Sequence, residues 1–108
     1  MPDAPQWLEP WYPVDEAAIC AGLEHQLAVE ISPRHVLYGA DVHLIARHGD
    51  TDDALFALAD GRVAEVHLTW RKSMEQDPRW PATAIFDTRE QWAAESMRPL
   101  HEALRQMR

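Results

Sequence analysis

Ile19, Leu23 and Leu27 recur every four residues with Cys20 beside them, while Glu16, Glu24 and His25 lie opposite. That spacing is one turn of an α-helix and predicts an amphipathic helix over 15–30, opened by Asp15 after Pro13 and stopped by Ser32 and Pro33. After a connection at 34–40, with Gly39 as a turn, the period changes to two over 41–70. This predicts a β-meander with strands at 41–47, 53–59 and 62–70. Asp60-Gly61 reads as a two-residue type I′ hairpin, which sets Leu55 opposite Val66 and Phe56 opposite Glu65. Leu55, Ala57, Ala64, Val66, Leu68 and Trp70 then share a core face expected to take both helices. Phe56, Leu58, Val63, Glu65, His67 and Thr69 share a second face of mixed polarity.

The ends of the chain read differently. Pro2, Pro5, Pro10 and Pro13 make 1–14 an extended arm, and its Trp7, Trp11 and Tyr12 are expected to lie over the domain or to reach across to a second copy. Residues 71–83 form a loop with Pro78 and Pro81, and 84–86 a short strand. Asp87 with Glu90 resembles a capping box that opens a helix over 88–107. Trp92, Ser96, Met97, Leu100, Ala103, Leu104 and Met107 mark its apolar stripe, and Pro99 predicts a kink or a break near Arg98. The expected fold is α+β: an antiparallel three- to four-stranded meander flanked by an N-terminal and a C-terminal helix, α-β-β-β-(β)-α.

Composition narrows the function classes. A chain of 108 residues with 46% hydrophobic and 26% charged residues fits one folded domain. Its net charge of −8 disfavours nucleic acid and anionic membrane as partners. Residues 1–60 hold eleven acids against Arg34 and Arg47, a balance of −9 that suits a basic protein partner. Cys20 is alone, so no intrachain disulfide forms. The N-terminus lacks the pattern of a secretory signal, and the longest apolar run, Ala54 to Ala59, is far short of a membrane span; a cytoplasmic location is expected.

Candidate chemistry is sparse. His101 begins a zincin-like spacing, but Arg105 stands where the second histidine would be needed, so neither a metal nor a cofactor is expected. The four glycines are scattered and no serine elbow is visible. On the mixed face, His43, Arg47, Glu65 and His67 form a candidate ligand-binding set, with Phe56 and Trp80 as apolar walls. His43 and His67 lie two strands apart, too far to share a metal. Trp7, Trp11, Phe56 and Trp80 are the candidate interaction surface, whereas Trp70 and Trp92 read as core.

The motifs LYG at 37–39, LFALADG at 55–61, VHLTW at 66–70, WPAT at 80–83 and MRPLHE at 97–102 resemble a group of small bacterial proteins without an assigned activity, some carried on mobile gene cassettes. The resemblance spans roughly Val36 to Leu104 and implies a common fold. The leading functional expectation is a non-enzymatic binding or regulatory module acting as a homodimer through the mixed face or the arm. The alternatives are a small-ligand protein or enzyme using the polar set, and an immunity-like or antitoxin-like neutraliser of a basic partner.

Overall fold

A computed structural model describes residues 6–107; Pro2 and Pro5 of the arm lie outside the described residues. The order is β1 (Trp11–Pro13), α1 (Ala17–Glu30), β2 (Val42–His48), β3 (Asp53–Leu58), β4 (Val63–His67), β5 (Thr83–Phe86), α2 (Arg89–Trp92), a π-helical turn (Ala93–Met97) and α3 (Arg98–Gln106). The strands form one antiparallel sheet in the order β1-β2-β3-β4-β5. The α+β meander with a helix at each end is therefore the fold. Its fifth strand comes from the arm, where Trp11–Pro13 pairs along β2 with Trp11 opposite His48. Pro13 is tolerated there because an edge strand leaves one side without ladder partners.

The two helices cover opposite faces of the sheet, not one. α1 packs Leu23 and Leu27 against Leu44, Phe56, Leu58, Val66 and Leu68. The C-terminal helical segment packs Trp92, Ala93 and Met97 against Trp11, Ala46, Leu55 and Val63. The cause is the β3–β4 turn. Leu58 N–H donates to Arg62 O at 2.9 Å and Gly61 N–H to Leu58 O at 3.1 Å, so the loop has three residues, not two. Gly61 takes φ 95° while Asp60 keeps a negative φ, as in a type I turn followed by a left-handed residue. The Asp60 carboxylate stabilises that form by accepting from Arg62 N (3.1 Å) and Nε (2.8 Å).

This slip of one residue sets Leu55 opposite Glu65 and Phe56 opposite Ala64. Since side chains alternate along a strand, β3 changes faces relative to β4. Phe56, Leu58 and Val63 are consequently buried, as are Leu55 and Val66. The apolar surplus expected on an open mixed face is absorbed as two cores, one on each side.

Local details adjust the helix ends. Glu16, not Asp15, occupies the N-cap of α1 and makes no side-chain cap bond. Thr88 caps α2 by accepting from Gln91 N at 3.0 Å, while Gln91 Oε1 accepts from Asp87 N at 2.7 Å. The N-cap thus lies one residue beyond Asp87, and Gln91 reaches past it to the Asp87 N–H. Near Pro99 the chain relaxes into the π-helical turn, in which Arg98 N–H reaches back to Ala93 O. Pro99 then falls in the first turn of α3, where its missing donor leaves no broken bond. α3 buries no residue fully and Met107 is exposed, so the apolar stripe ends short of its predicted length.

Candidate functional site

The sheet end formed by Arg47 of β2, Asp53 of β3, His67 of β4 and Thr83 of β5 carries the richest polar chemistry. Thr51 opens β3 with an ST-type turn, its Oγ1 accepting from Asp53 N at 3.3 Å while its hydroxyl donates to Asp53 Oδ2 at 2.7 Å. Asp53 lies opposite His67 across the β3–β4 ladder, and His67 Nδ1 approaches Asp53 Oδ1 to 2.9 Å. The Nδ1–H donates to the carboxylate and orients the ring, leaving Nε2 for a ligand or a proton. Two residues back along the same strand face, Glu65 Oε1 accepts from Trp92 Nε1 at 2.7 Å and from Ser96 Oγ at 2.6 Å. Its other oxygen takes no hydrogen bond among the described residues. Asp53, Glu65, His67 and Ala82–Ala84 line a shallow groove of about 240 Å³ with no lysine or arginine in its wall. Two carboxylates and one imidazole in such a groove favour a cationic ligand rich in hydrogen-bond donors.

The loop that leaves the sheet at His67 returns at Ala82, whose carbonyl accepts from His67 N at 2.9 Å. It holds three of the exposed large apolar side chains, Trp70, Met74 and Trp80. Trp70 is not a core residue: β4 stops at His67, and Trp70 lies at φ 61° with 44% of its surface exposed. For a bulky side chain the left-handed region costs about 1–2 kcal/mol. The buried Glu30 at the end of α1 holds this conformation. Its Oε1 accepts from Thr69 N (2.9 Å) and Thr69 Oγ1 (2.8 Å), and its Oε2 from Trp70 N (2.9 Å) and Gln26 Nε2 (2.7 Å). Arg47 extends over the Trp70 ring, its guanidinium carbon 5.8 Å from the centroid.

The predicted polar set is thus divided. Glu65 and His67 line one groove. A bulge at Ile45 places Arg47 opposite Ala54 and turns it to the α1 side, beneath Trp70. His43 sits toward the other end of β2, exposed, with Nε2 3.8 Å from Asp41. Within the predicted interaction surface, Phe56 and Trp11 are core residues, the first through the hairpin register and the second through edge-on packing on Trp92 at 5.1 Å. Trp7 stacks at a tilt on Trp92 with Arg89 over its ring, and Trp80 is exposed. Sequence reasoning missed Asp53, Glu30 and the exposure of Trp70. A signal for Glu30 exists, since it continues the Leu23–Leu27 stripe by one more helical step.

Nucleophilic chemistry is poorly served. Burial pushes the Cys20 thiol up from its ordinary pKa, with the Glu24 and Asp15 carboxylates adding to the effect, so it is a weak source of thiolate. Thr83 lies opposite Val66, so its side chain turns to the α1 side of the sheet, where Oγ1 donates to Pro81 O at 2.9 Å. Among the described residues, no three His, Cys, Asp or Glu side chains converge to hold a metal ion, and no helix is long and apolar enough to cross a membrane. The chain matches no family model, no curated protein and no solved structure.

Proposed function

We propose that this protein is a non-enzymatic binding module that recognises a basic segment of a partner protein at the sheet end carrying the acidic groove and Trp70. The observation that carries this reading is Trp70 itself, a large aromatic held half-exposed in a strained backbone state by a buried carboxylate. Strain maintained by its surroundings is characteristic of functional positions, and exposed tryptophans are frequent anchors of protein interfaces. The groove supplies charge complementarity through Asp53 and Glu65, and the net charge of −8 draws a cationic partner toward it. The homodimer expectation rests on an apolar mixed face or on the aromatic arm, and Trp11 of the arm packs within its own chain. With Phe56, Leu58 and Val63 also buried within one chain, a different, basic partner is the reading favoured here.

Calorimetric titration with a hexa-arginine peptide tests the reading. The wild-type protein binds the peptide with an affinity that falls as salt rises. Trp70→Gly and the double variant Asp53→Asn/Glu65→Gln each weaken binding about tenfold or more, equivalent to ~1.4 kcal/mol. The thermal midpoint of Trp70→Gly stays level or rises, because glycine accepts the left-handed conformation freely. Unchanged affinity in either variant, or affinity indifferent to salt, overturns the proposal.

A further inference from the structure

A second concavity lies away from this end, between α1 and the turns that follow it. It encloses about 350 Å³ and is lined by Leu27, Ile31, Leu37, Tyr38 and Val42, with Glu24 as its one charged wall residue. That volume lies at the lower end of small-molecule sites and suits a compact ligand better than a helix.

The walls are fixed by bonds that owe nothing to a ligand. Successive turns join His35 N to Ser32 O, Tyr38 N to His35 O and Ala40 N to Leu37 O, each at 3.0 Å. The buried His35 ring locks them: Nδ1 accepts from Leu37 N at 3.0 Å, which leaves Nε2–H to donate to Pro81 O at 3.0 Å. Glu24 is held as firmly. β1 runs along β2 only as far as Ala46, and the Leu44 N–H beyond it donates to Glu24 Oε2 at 2.9 Å. The second oxygen of Glu24 takes no hydrogen bond among the described residues.

We infer that this groove binds a small organic ammonium ion with an apolar tail. The ammonium would donate to the unused Glu24 oxygen, and the tail would lie against Leu27, Ile31 and Val42. No lysine or arginine in the wall competes for the carboxylate, and a preformed site spares the ligand the cost of ordering it. A carboxylate ligand of the same length meets repulsion at the same point.

Amide NMR titration with hexylammonium, hexanol and hexanoate tests the inference. Hexylammonium is expected to shift Leu27, Ile31, Val42 and above all Leu44, whose amide reports directly on Glu24. Hexanol should bind about tenfold more weakly, a difference of ~1.4 kcal/mol, and hexanoate more weakly still. Glu24→Gln keeps an acceptor for Leu44 N–H but removes the charge, and should bring hexylammonium down to the hexanol level. Ala28 is an exposed lining residue; Ala28→Trp should block all three ligands with the fold intact. Equal binding of hexylammonium and hexanol, an unaffected Glu24→Gln variant, absence of binding, or shifts centred on Asp53 and Glu65 would each overturn it.

Discussion

Glu30 ties a helix to the loop that follows β4 and Glu65 ties a helix to β4 itself, and they do so in opposite styles. Glu30, the last residue of α1, is completely buried and receives four hydrogen bonds, two on each oxygen. Glu65, on β4, receives two, both on Oε1, and lines an open groove. A saturated carboxylate has no capacity left for a ligand, so its role is to fix what surrounds it, here the strained Trp70. A carboxylate used on one oxygen is oriented by the protein and still able to accept from outside. Equal chemistry thus separates into an anchor and a receptor, and the separation is measurable.

The largest effect is expected at the anchor. Glu30→Ala leaves the Thr69 and Trp70 amides without acceptors, and chemical denaturation should show a loss of ~3–4 kcal/mol. Glu30→Gln should lose nearly as much, since an amide nitrogen would then confront donors on one side of the group. A glutamine variant as stable as wild type would mean that those four bonds do not hold the loop.

At the receptor the same pair of substitutions should diverge. Glu65→Ala strands the buried Trp92 indole N–H and should cost ~1–3 kcal/mol. Glu65→Gln retains an acceptor for Trp92 and Ser96 and should cost ~1 kcal/mol or less, the difference between a charged and a neutral acceptor. If Glu65→Gln proves as damaging as Glu30→Gln, the contrast collapses and Glu65 becomes a second anchor.

The same contrast explains what could be read in advance. Helix positions and strand order follow from apolar spacing, because burial acts on whole segments: Leu23 and Leu27, or Leu55 and Val66, are core in any register that keeps their strands or helix. Which face each strand presents depends on a single loop residue. Asp60-Gly61 fits a two-residue turn, and the bonds from Arg62 N and Nε to the Asp60 carboxylate favour the longer form. The bulge at Ile45 has no marker in the chain, yet it separates His43 from Arg47. Glu65 and His67 were legible as a pair because alternation along one strand survives such slips. Asp53 was not, because its partnership with His67 is set by the register, and the left-handed state of Trp70 is imposed by Glu30 from 40 positions away.

The smallest expected effect concerns a turn built twice. At Asp60-Gly61-Arg62 and at Asp77-Pro78-Arg79, an aspartate accepts from the backbone and side chain of the arginine two residues on. Both carboxyls are held below the ordinary range. At Asp77 the Arg79 side chain is the leading cause and its backbone N–H the next, taking the pKa to about 2. A folded-state value below the unfolded value of ~3.9 means that the contribution is complete above about pH 4 and is lost as pH falls toward 2. Both partners are substantially solvated, so the effect on global stability is slight. Its reach is local: Trp80 N–H donates to Asp77 O at 3.0 Å, which couples this turn to an exposed tryptophan of the loop between β4 and β5. The Trp80 amide resonance should therefore titrate with a midpoint near 2. Asp77→Asn should abolish that titration while leaving the Trp70 resonance, anchored through Glu30, in place. A Trp80 midpoint near the ordinary carboxylate value would show the Asp77–Arg79 pair to be open in solution and the loop to be anchored at its Glu30 end alone.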